Sequence, residues 1–181
     1  MDTPTKLALI PQLENSWQRT TDWIRSQPED HFNRELVPGK WTIAGHLYHL
    51  IKTTKAVTKG LKMPKLALRT MFGKNNRQER THEQLHQKYL QALSTATVQA
   101  PVAYAAEPGR VFDREELLQR FASELTDFLA ALDRWNEKEM GTYIMPHPAI
   151  GKCTLREFVY FSIFHTEHHL AILERDYQRT P

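Results

Sequence analysis

This sequence predicts an all-α fold, a four-helix bundle with a longer insertion between its second and third helices, and three observations predict it. Apolar residues recur at alternating spacings of three and four through four separate stretches. Three of those stretches open on a residue suited to capping a helix, and strand-like segments are almost absent. Helices with one apolar stripe bury it by packing on each other, and four such stripes close a bundle. A chain of 181 residues is a natural size for one domain spanning residues 1–181, burying about 70% of its surface without covalent staples.

The first helix carries the stripe Ile10, Leu13, Trp17, Thr20 and Ile24 and ends by Pro28. Thr42 caps the second, whose stripe runs Ile43, Leu47, Leu50, Thr54, Val57 and Leu61 until Pro64. Residues 62 to about 112 are too many for a plain connection, and within them His82 to about Leu93 reads as a short extra helix with Leu85, Tyr89 and Leu93 on one side. Asp113 opens the third bundle helix, with Glu116 as capping-box partner and the seam Leu118, Phe121, Leu125, Phe128, Leu132, Trp135. Met145 to Gly151, with two prolines, reads as a stiff loop leading into the last helix, which Thr154 and Glu157 open as a second capping box. Trp17, Phe121, Phe128 and Trp135 read as core.

The last helix has a seam of Leu155, Phe158, Ser162, His165, His169 and Ile172, so two imidazoles occupy positions that should be apolar. One turn apart, their Cβ atoms are about 6 Å from each other, close enough for both rings to reach one ion about 2 Å from each nitrogen. A third ligand must come from another helix. The second helix offers His46 and His49, both on one flank of its stripe, and geometry alone slightly favours His46.

Trp41-Thr42 at the start of the second helix, His49-Leu50 eight residues after the Trp, and His165-x-x-x-His169 on the final helix together resemble the DinB-like superfamily of metal-binding four-helix bundles. The resemblance implies the metal ligands His49, His165 and His169, with Gly45 standing where many members carry an acidic residue. It also implies relatives that are transferases and isomerases using low-molecular-weight thiols. Three neutral imidazoles leave a divalent ion its full charge and an open position, the arrangement of catalytic sites. With nitrogen-only ligands the expected ion is zinc or nickel.

No catalytic residue is assigned by the sequence. His147 could approach from its loop as a proton carrier, though a turn residue between two prolines is the competing reading, and His46 and His168 read as neighbours of the site that hydrogen-bond or titrate near neutral pH. A zinc-protease motif is excluded because Thr166 follows His165, and Glu167 points about 200° away around the helix. Gly-rich phosphate loops, nucleophile elbows and paired-cysteine motifs are absent.

The formal net charge is +3, but nine of the 24 basic residues lie between Lys52 and Arg80 against one acid, Glu79. That segment reads as a solvated surface or as a positive rim attracting an anionic substrate. It lacks a nucleic-acid recognition motif, and Phe72 is its only aromatic ring, so a nucleic-acid partner is not expected. The lone Cys153 and the lack of a leader or long apolar run suggest a cytoplasmic protein with no membrane partner. Phe161 and Ile163, left beside the main seam, would suit a homodimer face. The expected function is a metal-dependent enzyme that activates a thiol or water for transfer to, or hydrolysis of, a small electrophile. The alternative is a non-catalytic, metal-binding, stress-associated interaction protein whose fourth metal position would be filled by His46 or His147.

Overall fold

The computed structural model describes residues 3–94, 103–107 and 109–177. Four long helices make the bundle: α1 (Lys6–Ser26), α2 (Ile43–Lys62), α5 (Arg114–Asp133) and α7 (Leu155–Tyr177). Between them lie α3 (Lys65–Phe72), α4 (His82–Ser94), the short α6 (Glu137–Thr142) and a hairpin of β1 (Ile144–His147) and β2 (Gly151–Thr154). None of these helices is long and apolar enough to cross a membrane.

The bundle is wound in an order that helix periodicity does not encode. α2 packs mainly on α5 and α1 on α7, while α2–α7 and α1–α5 close the ring. Consecutive long helices α1 and α2 therefore sit diagonally, as do α5 and α7. Cross-links give the directions. Arg156 reaches Pro4 while Arg19 meets Glu167, so α1 and α7 run parallel. Lys55 meets Glu124 and Trp135 meets Leu61, so α2 and α5 do too. Ile43 bonds Tyr177 while His49 meets His165, which makes α2 and α7 antiparallel.

The helix starts follow the expected caps. Thr42 Oγ1 accepts the Gly45 N–H at 3.0 Å, and Thr154 and Glu157 exchange both bonds of a capping box. Asp113 accepts the Glu116 N–H at 2.8 Å, half of the box expected there. α1 begins at Lys6, capped by Thr5, earlier than its stripe suggests. The third bundle helix stops at Asp133, short of Trp135, whose ring turns back to donate Nε1–H to the Leu61 carbonyl at 3.0 Å. Its seam therefore ends one step before the expected residue.

Two elements depart from the sequence reading. Pro64 ends α2, as expected, but it also opens α3, too short for its apolar period to be read. Met145–Gly151 is mostly hairpin instead of loop: Met145 pairs with Cys153 and His147 with Gly151. In a two-stranded sheet each strand is an edge, so Pro146 is tolerated, and Gly151 takes the positive φ of 77° that a three-residue turn needs. The hairpin's Met145 sits where a Cβ on Gly60 would be, so the glycine lets it close on α2.

α7 is buried on nearly every side, because α1, α2, the insertion helix α4 and the hairpin all pack on it. This corrects one expectation. Phe161 and Ile163 are buried within the chain, Phe161 against His147 and His165, so they do not form a free face for a second copy.

Candidate metal centre

The first and second turns of α2 bring His46 and His49 opposite the middle of α7, where His165 and His169 point back. The Nε2 atoms of His49 and His169 lie 3.1 and 3.2 Å from Nε2 of His165. The ligating atoms of these three histidines all lie within 4.8 Å of one another, and no other group of three or more His, Cys, Asp or Glu does so among the described residues.

Tautomers follow from the partners. His49 Nδ1 faces the Tyr104 carbonyl at 2.7 Å; a carbonyl only accepts, so Nδ1 carries the proton and Nε2 holds a lone pair. At 3.1 Å that lone pair must face either a proton or a cation on the His165 side. An ion with tetrahedral bonds of about 2.0–2.1 Å separates its ligand nitrogens by about 3.3 Å, so the spacings fit such a group. His169 Nδ1 lies 2.8 Å from His46 Nδ1. Since one proton joins that pair, a His169 that offers Nε2 as a lone pair donates from Nδ1 to His46, which acts as an orienting partner. His46 does not itself turn a nitrogen to the cluster.

Aromatic rings pack around the cluster. Trp41 stacks parallel to His169 with centroids 6.2 Å apart and lies 5.1 Å from His49, while Phe161 stacks on His165 at 4.7 Å. Tyr89, from the insertion, stands edge-on to His165 and His168. Burial disfavours the imidazolium form throughout. It pushes His49 down to about 4 and His46 to about 3, the latter helped by the positive field of His49. Desolvation holds His165 and His169 well below the usual histidine range. Neutral imidazole is the ligating form, so the cluster is held ready for a metal at neutral pH.

The cluster forms part of the wall of a cavity of about 990 Å³ that runs along α2 and α7 beneath the hairpin. His147 also lines it, but its Nδ1 accepts the N–H groups of Ala149 and Ile150 at 3.1 and 3.3 Å. With that lone pair committed to the turn, a neutral His147 offers the cavity only an Nε2–H donor, and burial pushes it down to about 4. His168 borders the cavity with its ring 5.5 Å from that of His169 and stays outside the cluster.

Sequence reasoning missed the groups that come from irregular backbone. The Tyr104 carbonyl belongs to the return of the insertion, where no side-chain pattern marks a backbone acceptor. Gly45 carries a signal for it: a Cβ there would lie 3.1 Å from that of Ala106, so the glycine makes room for this segment to lie on α2. The basic segment is mostly occupied. Arg77 and Arg80 clamp the buried Glu157, Lys62 meets Asp127 and Lys65 meets Glu139.

Geometry thus defines a class: a four-helix bundle with a buried three-histidine cluster, suggestive of a divalent metal, in the wall of a cavity. Residues 12–173 match the model of the DinB superfamily, and the chain belongs to that family. Among solved structures, one similar chain is YfiT from Bacillus subtilis, described as a probable metal-dependent hydrolase with an unusual four-helix bundle topology. It aligns at a TM-score of 0.61 and 14% identity, over 99% of this chain and 91% of that one, a likeness of fold. No match to a curated protein is found.

Proposed function

We propose that this protein is a metal-dependent enzyme in which His49, His165 and His169 hold a divalent ion, zinc or nickel, and that it activates a thiol or water against a small electrophilic substrate. The observation that carries the reading is the convergence of nitrogens from three buried imidazoles, all within 4.8 Å of one another, on the wall of a large cavity. Such an ion, when bound, supplies a Lewis acid that makes a coordinated water or thiol acidic enough to react near neutral pH.

The chain's own residues do the rest. The Tyr104 carbonyl fixes the His49 ring and His46 fixes His169, so the ligands are set before anything binds. Trp41 and Phe161 cover ring faces and keep bulk water from the cluster. His147 presents an N–H donor suited to a carbonyl or phosphoryl oxygen of a substrate in the cavity.

The purely structural alternative calls for a fourth protein ligand. Of the two candidates for that role, His46 has Nδ1 engaged with His169, and His147, with Nδ1 bonded to the hairpin turn, offers the cavity a protonated Nε2, which is a donor and not a ligand. This favours the enzyme. The testing experiment is metal content by mass spectrometry on untagged protein, beside His49→Ala and His165→Ala. Near-stoichiometric zinc or nickel in the parent and none in either variant is the expected result. A parent that holds neither ion, even after incubation with each, would overturn the reading.

A further inference from the structure

The cavity is far larger than a water or small thiol needs, and its walls have a direction. Pockets for drug-sized ligands run about 300–1,000 Å³, and this one, at about 990 Å³, lies at the top of that range. From the histidine cluster it continues past Val57, Met145 and Phe158 to Lys59, Met63 and Phe72. Lys59 follows His49 by ten residues on one helix, which puts it about 15 Å along the axis from the cluster.

Charge is distributed just as unevenly. Among the described residues no aspartate or glutamate lines the cavity, while Lys40, Lys59 and Arg175 do. Of the two cations at the cluster end, Arg175 is matched, its Nε donating to Asp176 at 2.7 Å, while Lys40, next to Trp41, makes no side-chain ion pair among the described residues. Lys59 at the far end has no side-chain partner among the described residues, although most of the basic residues around it in sequence are paired.

We infer that the substrate is an elongated amphipathic anion, with its reacting group at the histidine cluster, an apolar chain along the walls and an anionic end at Lys59. This rests on the metal-centre reading for which end reacts, but the chain and anion subsites stand on the cavity alone. Each methylene that leaves water on binding tightens affinity by about four-fold, and an exposed ion pair at Lys59 adds about 1.5- to five-fold.

The test is calorimetric titration of the zinc-loaded protein, its Lys59→Met variant and its His165→Ala variant with mercaptoundecanoic acid, mercaptoundecanol, mercaptopropionic acid and undecanoic acid. The long thiol acid should bind one per chain, at least about a hundred-fold tighter than the short one. It should also beat the long alcohol by about 1.5- to five-fold, a gap that closes in Lys59→Met. Equal binding of long and short acids, or an acid-over-alcohol preference that survives Lys59→Met, overturns the inference. Failure of the metal reading has a separate signature: the parent and His165→Ala would then bind mercaptoundecanoic and undecanoic acids alike, with chain-length and Lys59 effects unchanged.

Discussion

Helix α7 carries two buried polar clusters, and they are built on opposite terms. At its start Glu157, with no exposed side-chain surface, accepts bonds from both Arg77 nitrogens at 2.8 and 2.6 Å, from Arg80 at 3.1 Å and from the backbone N–H groups of Arg80 and Thr154. Burial alone would raise this carboxyl, but Arg77 and the two N–H groups outweigh it and hold it below the usual range. Two to three turns later His165 and His169 are also buried, and their Nε2 atoms face other imidazole nitrogens. A cluster whose every acceptor is satisfied from within ties elements together; one whose ring nitrogens converge on a single point is arranged for something that is not protein.

Substitutions should separate the two. His169→Ala should abolish metal uptake while leaving the helical circular dichroism signal in place, because the bundle's apolar seams do not depend on the ring. Loss of the helical signal would instead make this cluster structural. Glu157→Ala should do the reverse. It strips the partner from Arg77 and Arg80 and one half of the α7 capping box, lowering stability by about 3 kcal/mol in urea unfolding, with metal stoichiometry unchanged. A shift below about 1 kcal/mol would mean that solvent already carries those arginines.

The clusters also titrate differently. His46, His49 and His147 are depressed to between about 3 and 4, so below the ordinary histidine value of about 6.5 the unfolded chain takes up protons that the fold refuses. Stability is therefore full above pH about 6.5 and falls as the pH drops toward 4; Glu157, depressed from 4.5, extends the loss into stronger acid. Thermal melts of metal-free protein between pH 7 and 4 should decline through this window, and a flat profile down to pH 5 would contradict the burial of these rings. The smallest expected effect comes from Gly45→Ala. The new Cβ presses on Ala106, displaces the Tyr104 carbonyl from His49 and should weaken metal affinity by about ten-fold, read by competition with a chelator. The better helix former offsets part of any strain in α2, so the melting temperature should move little.

Much of this was legible beforehand for a physical reason: helix periodicity and caps are local. Ile43 through Leu61 declared α2, and Thr154 with Glu157 declared the start of α7. His165 and His169 stood out because polar residues on an apolar seam must be satisfied by something. The choice between His46 and His49 was not local. Spacing on α2 leaned toward His46, and only the family pattern pointed to His49, because the answer depends on how α2 rotates against α7. The α3 helix and the hairpin escaped because an eight-residue helix and two four-residue strands are shorter than the windows that reveal a period.

The sequence by itself determined four amphipathic helices, their caps, the insertion and the histidines that had no business on an apolar face. Only the tertiary structure decided the diagonal order of consecutive helices, the Arg77–Glu157–Arg80 clamp, the burial of Phe161 and Ile163, and the Tyr104 carbonyl behind His49. Periodicity says which face of a helix is turned inward. Which neighbour that face meets is fixed by long-range packing, where contacts far apart in sequence compete and the whole chain selects among them.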